Sequence, residues 1–310
     1  MSNSAVPSVA TVIVNWNRIQ DTLECLESLQ KTTYSNHLII VVDNGSSDGS
    51  ADRLKLVPGI ELVQNDGNVG YSPACNQGIE LAREKGAQYF FLLNNDALVD
   101  EHTISELVTA FDSDSRIGIA GAVNYRFPER SSVCFGGGVI DVRYASCLHE
   151  HHVAASEPYD TDFVTGAAMM LSRDVVDSVG KFEPTFFAYF EDADLCVRAV
   201  RLKWRVVVAP SSKIWHKVSA SSGGYGSALQ QYYGMRSSLL FVKRNATKAQ
   251  LFLFCWITFF KLAKQTAKAI VRPGAQQRLM ALSMLRASYD FSARYFGDYD
   301  SRWARKGCTG

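Results

Sequence analysis

The sequence predicts an α/β protein with a mainly parallel sheet and a helical C-terminal extension. Three observations carry this. Four short apolar runs in roughly the first 95 residues alternate with segments of helical apolar spacing, the pattern of a parallel sheet covered by helices. Each run ends in a cluster of Asn, Asp or Gly. Beyond Ser227 nearly all of the chain reads as helix.

In chain order, residues 9–14 (VATVIV) read as a buried strand, and Ile19, Leu23, Leu26 and Leu29 in the next segment share a helix face. HLIIVVD is a second strand, and NGSSDGS is a turn into a short helix at ADRLKL. IELVQN is a third strand, a loop feeds a helix through SPACNQGIELAREKG, and YFFLLN is the fourth strand. Strands follow at IGIAGAVNYRF, SVCFGGGVIDV and TDFVTGAAMMLSR, the last leading into a short helix. EDADLCVRAVRLK places Leu195, Val197, Ala199, Val200 and Leu202 in a helix beginning near Asp192, and WRVVVAP and KIWHKV read as two short strands. The expected division is a catalytic domain over 1–226 and a helical region over 227–310.

Composition narrows the class. The chain has 310 residues, 47% hydrophobic and 20% charged, enough to build a sizeable core. Its seven Cys are scattered with no CxxC pair, which argues against a disulfide framework and a structural zinc site. The opening MSNSAVPSVATVIVNW has no basic stretch followed by a long apolar one, so a cytoplasmic protein is expected. From Lys243 onward 13 Lys and Arg face three Asp, so this segment carries +10 while residues 1–242 carry −9. Such asymmetry points to a polyanionic partner or a membrane surface, and nothing upstream suggests nucleic acid.

The candidate chemistry sits where the strands end. Asn15, Trp16 and Asn17 follow the first strand, and Asp43 and Asn44 the second. Asp66, Gly67, Asn68 and Gly70 follow the third, and Asn94, Asn95 and Asp96 the fourth. Each cluster alone also fits a turn. Four in succession fit a ligand site at the carboxyl edge of a parallel sheet. No GxGxxG follows the first strand and no GxxxxGK[ST] occurs, which excludes the usual dinucleotide and P-loop signatures.

Over residues 10–217 the chain resembles the family 2 glycosyltransferases with the GT-A fold. The resemblance rests on VIVNWNR, VVDNGSSDGS, NVGYSPACNQGI, LLNNDALV, FVTGAAMMLSR and FFAYFEDADLCVRA. Among family members these are most similar to bacterial rhamnosyl- and galactofuranosyltransferase types that build surface polysaccharides. The resemblance implies an inverting enzyme that moves a sugar, L-rhamnose from dTDP-rhamnose first and a UDP-hexose or UDP-galactofuranose second, to a glycan or lipid-linked hydroxyl. It implies that Asn15, Asn17, Asp43, Asn44, Asp66, Asn68, Gly70, Tyr71, Asn76 and Asn95 line the nucleotide-sugar site. Asn94-Asn95-Asp96 then takes the place of the family's DxD, with Asn94, Asp96 and His216 holding Mg2+ or Mn2+. Asp192 would be the catalytic base.

The chemistry of these residue types agrees with the roles. A hard cation with oxygen ligands neutralises a departing diphosphate, and Mg2+ commonly uses one or two protein carboxylates plus phosphates. Inversion needs a carboxylate opposite the leaving group to take the acceptor's proton, as in inverting hydrolases. Asp192 begins a predicted helix, whose dipole is expected to hold its pKa low. The first DxD position is Asn94, which brings no charge to a metal.

Competing readings stand beside these. Glu191 and Asp192 also fit a helix cap, Asp194 a supporting first-turn carboxylate, and His216 a half-buried strand histidine. HEHH at His149–His152 reads as a solvated loop on the acceptor side, and FGGGV as a strand kink or hairpin. Trp16, Tyr71, Phe187, Tyr189 and Trp215 could stack on a base or sugar, or sit in the core. A catalytically silent nucleotide-sugar-binding protein and a nucleotidyltransferase are the other classes the pattern allows. QLFLFCWITFF is too short to span a bilayer, which takes about 20 apolar residues. With Lys261, Lys264 and Lys268 on one helical face beyond it, it fits either an anionic membrane interface or a hairpin packed on the domain or on a second subunit.

Overall fold

The computed structural model describes residues 6–217, 227–271 and 274–299. The expected boundary between residues 226 and 227 lies at the edge of a stretch, 218–226, outside the described residues.

The four expected strands form as β1 (Val9–Asn15), β2 (His37–Asp43), β3 (Ile60–Gln64) and β4 (Tyr89–Asn94). The helices between them are α1 (Ile19–Leu29), α2 (Ser50–Leu54) and α3 (Tyr71–Glu84). A short β5 (Ala97–Val99) and α4 (Thr103–Ser113) precede the long β6 (Ile117–Arg126). Then come β7 (Val133–Phe135), a hairpin of β8 (Gly138–Asp141) and β9 (Ser146–His149), β10 (Tyr159–Asp160), β11 (Ala168–Ser172) and α5 (Arg173–Val179). α6 (Glu191–Arg201) and β12 (Arg205–His216) follow. The C-terminal helices are α7 (Ala228–Asn245), α8 (Lys248–Val271) and α9 (Ala275–Ser292).

The main sheet runs in the order β10-β12-β6-β11-β4-β1-β2-β3. β1 pairs in parallel with both β2 and β4, β2 with β3, and β6 with β12. β11 lies antiparallel between β4 and β6. The side-chain period of two sends neighbours to opposite faces: Phe91 joins the layer with Ile13, Leu26 and Leu107, while Phe90 joins the layer with Ile40, Ile79 and Leu195. Each fully buried Phe contributes roughly 1.5–3 kcal/mol.

Two sequence expectations change. WRVVVAP and KIWHKV form one strand, interrupted by a register shift between Ala209 and Lys213. Pro210 in that gap has no N–H for the ladder, so a bulge is the local solution. TDFVTGAAMMLSR is strand only from Ala168, because the turn at 165–167 bends into the site described below. The triple glycine does break a strand, separating β7 from β8.

The C-terminal helices are fastened to the sheet domain by charge. Asp194, fully buried in α6, accepts hydrogen bonds from Arg198 Nε at 2.8 Å, Arg244 Nε at 3.1 Å and Asn245 Nδ2 at 2.8 Å. Arg244 also pairs with Glu183 at 2.6 Å. Arg236 on α7, almost fully buried, donates to the carbonyl of Gly297 at 2.8 Å and to Tyr232 Oη at 3.0 Å, tying α7 to the segment after α9.

Candidate active site

The carboxyl ends of β1, β2 and β4 open into a cavity of about 420 Å3. Its first wall is a self-contained polar network. Asn15 Nδ2 donates to Asp43 Oδ1 at 2.7 Å and Ser46 Oγ at 3.0 Å, and its Oδ1 accepts from Thr22 Oγ at 2.7 Å. Asp43 also accepts from Ser46 Oγ at 2.6 Å. Asn44 Oδ1 takes the Val69 N–H at 3.1 Å while its Nδ2 donates to Asn68 Oδ1 at 3.0 Å and the Gly70 carbonyl at 3.2 Å. The loops after β2 and β3 can touch because Gly45 sits at φ 71°, where a Cβ would lie 2.4 Å from Gly67 Cα. Gly70, at φ 98°, is pressed against Phe187, whose ring a Cβ would meet at 2.9 Å.

The sequence-derived residues divide accordingly. Asn44, Asn68, Tyr71, Asn94 and Asn95 reach the cavity surface. Asn15 and Asp43 are buried just behind it and bonded to each other. Asn17, at φ 52°, holds the following loop by accepting from the Ser47 N–H at 2.7 Å. Asp66 is exposed and outside the cavity. Asn76 is also apart from it, clamping Phe182 through a pair of bonds at 2.8 and 3.1 Å to that residue's backbone. Trp16, Phe187 and Tyr189 line the cavity, whereas Trp215 stacks under the Arg130 guanidinium, 5.0 Å from its ring centre.

Asn94, Asp96 and His216 come together. β5 turns Asp96 toward β12, so that Asp96 Oδ1 lies 3.0 Å from His216 Nε2, and Asn94 Nδ2 lies 3.5 Å from the same nitrogen. Among the described residues no three His, Cys, Asp or Glu side chains gather into a metal-holding group. The donor set is therefore one carboxylate, one imidazole and one amide. Octahedral donors at about 2.1 Å from Mg2+ lie about 3 Å apart at right angles, so Asp96 and His216 fit two positions of one ion. Asn94 Oδ1 currently accepts from Tyr71 Oη at 3.2 Å. Rotating that amide by half a turn presents Oδ1 to the pair, and Tyr71 keeps the Gly166 carbonyl, 3.3 Å away, as acceptor.

The second wall is the turn before α6. Tyr189 and Phe190 have φ of 69° and 70°, two consecutive non-glycine residues in the left-handed region. Each costs of order 1–3 kcal/mol and persists only where surrounding structure holds it. The turn puts Glu191 and Asp192 in the cavity. Asp192 Oδ2 accepts the Gly166 N–H at 2.9 Å and Oδ1 the Ala193 N–H at 2.7 Å. Burial raises its pKa, only partly opposed by these two bonds. The expectation that the helix dipole would hold it low is thus reversed, because desolvation outweighs the dipole. Glu191 is buried with Oε2 unpartnered among the described residues, and burial plus the charge of Asp192 push its pKa to about 8.

Sequence reasoning missed several members of this wall. His149 at the end of β9 lines the cavity. Its residue is partly open to solvent, but its ring packs edge-on against Phe135 at 5.0 Å, and that desolvation lowers its pKa despite Asp192 nearby. It is therefore framed by a hairpin and is not a free loop residue. Leu229, Gln230 and Tyr233 of α7 close the far side, and Tyr233 stacks flat on Phe187 at 4.8 Å. In the sequence this wall was signalled by Asp192, by the Phe187 and Tyr189 aromatics and by HEHH as an acceptor-side loop; no spacing links α7 to it.

Comparison with known proteins places the whole. A family model described as Glycosyl transferase family 2 matches residues 10–180. The dTDP-rhamnosyl transferase RfbF of Shigella flexneri is 23% identical over 246 residues, 77% of this chain and 81% of that protein. The N-acetylglucosaminyl-diphospho-decaprenol L-rhamnosyltransferase of Mycobacterium tuberculosis is 26% identical over 223 residues, 64% of this chain and 72% of that protein. A mannosyltransferase from Pyrobaculum calidifontis, solved with GDP-Man and Mn2+, superposes with TM-score 0.59 at 16% identity, covering 93% of this chain and 88% of that one. GalNAc-T7, solved with UDP, GalNAc and Mn2+, gives 0.62 at 14% identity, covering 94% of this chain and 59% of that one. At such identity these structures speak for the fold alone, and it is the GT-A fold expected from the sequence.

Proposed function

Because the chain belongs to glycosyl transferase family 2, we propose that it transfers L-rhamnose from dTDP-L-rhamnose, with inversion, to a hydroxyl of a glycan or lipid-linked saccharide in polysaccharide synthesis. The donor follows from the two rhamnosyltransferase relatives, and the acceptor class from the diphospho-decaprenol acceptor in the second one's name. The observation that carries the reading is the meeting of strand-end amides and a carboxylate in one cavity. Asn44 and Asn68 line it with the half-buried Asp192, whose Oδ2 accepts the Gly166 N–H while the Tyr71 hydroxyl donates to the Gly166 carbonyl.

In this reading the network of Asn15, Asp43 and Asn44 fixes the loops that receive the nucleotide. Asp96, His216 and Asn94 would hold Mg2+ or Mn2+, whose chemistry is to neutralise charge on the departing diphosphate. Asp192 takes the proton of the acceptor hydroxyl as that oxygen bonds to the sugar's C1 and the C1–O bond to the diphosphate breaks, releasing dTDP. A raised pKa suits this role, since a base works best with a pKa near the working pH. The bonds from Gly166 and Ala193 fix the carboxylate in place before acceptor arrives. Glu191, with its pKa near 8, stays neutral at pH 7 and so adds no second negative charge beside the donor. The division into a catalytic domain over 1–226 and a helical region over 227–310 is proposed in the sense that α7 closes the acceptor side of a site built by the sheet.

The test is turnover with a donor panel of dTDP-rhamnose, UDP-galactofuranose and UDP-hexoses in the presence of Mn2+ and a lipid-diphosphate saccharide. Release of dTDP together with a lengthened acceptor is expected. If no donor yields a nucleotide diphosphate, the chain is not a transferase of this kind. Release from a UDP-sugar alone moves the donor and leaves the mechanism standing.

A further inference from the structure

α8 is a helix of 24 residues, and among the described residues no helix is long and apolar enough to cross a membrane. Only one stripe of it packs inward: Phe254, Thr258 and Ala269 are its buried residues. Phe252, Trp256, Phe259 and Phe260 are spaced to share another face, and they are 72%, 55%, 61% and 52% exposed. Four large aromatics at such exposure on one face are far from the scattered apolar residues of an ordinary surface. Lys261, Lys264 and Lys268 are also exposed, and their spacing sets them in a row between that face and the packed stripe. An aromatic face flanked by lysines complements a surface that is apolar inside and negative outside. A two-fold contact between copies through this face would set the lysine row against itself.

A second feature gives the face a purpose. A cleft of about 390 Å3 runs between α7, α8 and the turn of the β8–β9 hairpin. Tyr189 and Gln230 line both this cleft and the catalytic cavity, while Phe254, Thr258 and Lys261 line it from α8. The cleft therefore lies beside the catalytic cavity, with Tyr189 and Gln230 between the two, and reaches the lysine row at Lys261.

We propose that the aromatic face of α8 seats on an anionic lipid surface, and that the cleft beside it is the passage by which an acceptor held in that surface reaches Asp192. The second half rests on the transferase reading above; the first does not.

The full chain is sedimented with phosphatidylcholine vesicles, with and without phosphatidylglycerol, and binding of dTDP is measured in parallel. Binding to the anionic vesicles is expected, and it falls as salt is added. Lys261→Ala, Lys264→Ala and Lys268→Ala together weaken it by about a hundredfold, near fivefold per lysine. Trp256→Ser with Phe259→Ser and Phe260→Ser abolishes it and leaves dTDP binding unchanged, which shows the fold intact. No sedimentation at low salt, retained binding in the aromatic variant, or a concentration-dependent dimer that the aromatic variant dissociates overturns the surface assignment. For the passage, Gly234→Leu is informative, because Gly234 lines the cleft and a Cβ there meets no atom within 4 Å, so the added side chain narrows the cleft. Transfer to a saccharide-diphosphate lipid in the same vesicles is lost while vesicle and dTDP binding persist; unchanged transfer removes the cleft from the path. Vesicle binding by a protein that turns over no donor counts against the transferase reading alone.

Discussion

The two walls of the cavity solve opposite problems. On the strand-end wall every buried amide and carboxylate side chain of the network finds a partner: Asn15 holds Asp43, and Asn44 holds the loop around Asn68. On the facing wall two non-glycine residues sit at positive φ, Glu191 Oε2 is buried without a partner among the described residues, and two adjacent acids have raised pKa values. A satisfied network gives a rigid surface for binding, and its groups cost nothing further to organise. An unsatisfied, strained wall is where a protein keeps groups whose protonation must change. In the proposed mechanism the first wall is the side that recognises and the second the side that reacts.

The sharpest way to break this contrast is Asp192→Asn. If the facing wall does the chemistry, kcat falls by about a hundredfold to ten-thousandfold, the usual contribution of a general base, while donor Kd stays within about twofold. Pre-steady-state turnover with parallel calorimetry of dTDP-sugar binding separates the two. A proportional loss of binding would place Asp192 on the recognising side. Asn keeps only one of the Gly166 and Ala193 N–H bonds, because its Nδ2 is a donor, so thermal unfolding is measured alongside to show that the fold is retained.

Next comes Glu191→Gln, read as stability against pH. The folded pKa of Glu191 lies above its unfolded value of 4.5, so the protonated form is favoured by folding. Stability from this group is complete below pH 4.5 and declines as pH rises toward about 8. The Gln variant, always neutral, matches wild type at pH 4 and exceeds it at pH 8 by several kcal/mol in urea unfolding. An equal difference at both pH values would mean that Glu191 is solvated and the wall is less frustrated than its geometry says. Activity adds a sign of its own: the raised pKa of Asp192 predicts kcat rising with pH through the acidic range as the base loses its proton.

The recognising wall is broken with Asn44→Ala, which takes the acceptor from the Val69 N–H and leaves Asn68 Oδ1 with the Gly70 N–H alone. A cost of about 1–3 kcal/mol is expected, with weaker donor binding and little change in kcat at saturation. A kcat effect without a KM effect would erase the distinction between the walls.

The same contrast explains what could be read in advance. The strand-end wall was legible because a parallel sheet fixes where its strands stop, and Asn15, Asp43, Asn44 and Asn94 each follow an apolar run directly. Asp66 and Asn76 show the limit, since nearness in sequence did not bring them to the cavity. The facing wall is assembled from the β8–β9 hairpin, the 187–192 turn and α7, segments far apart in the chain. Nothing in the spacing of Tyr233 shows that it stacks on Phe187, and nothing in FFAYFED announces positive φ at Tyr189 and Phe190. The direction of the Asp192 pKa was misread for the same reason: a helix N-terminus is visible in sequence, but the desolvation that outweighs it is made by tertiary packing.

The smallest expected effect concerns the groups between the walls. Asp96 carries the only carboxylate of the Asn94-Asp96-His216 trio, and His216 Nε2 is its nearest partner at 3.0 Å. His216→Ala should raise the Mn2+ concentration for half-maximal rate about tenfold, with dTDP binding in the absence of metal unaltered. Asn94→Asp should act the other way. It supplies a second carboxylate next to the first, which lowers the Mn2+ requirement but sets two like charges together when no ion is bound. That variant should accordingly lose stability in chelator and regain it with Mn2+, a shift that thermal unfolding with and without metal reads directly. If neither variant changes the metal requirement, the trio is a hydrogen-bonded strut that aligns β5 with β12, and the departing diphosphate must be stabilised elsewhere on the recognising wall.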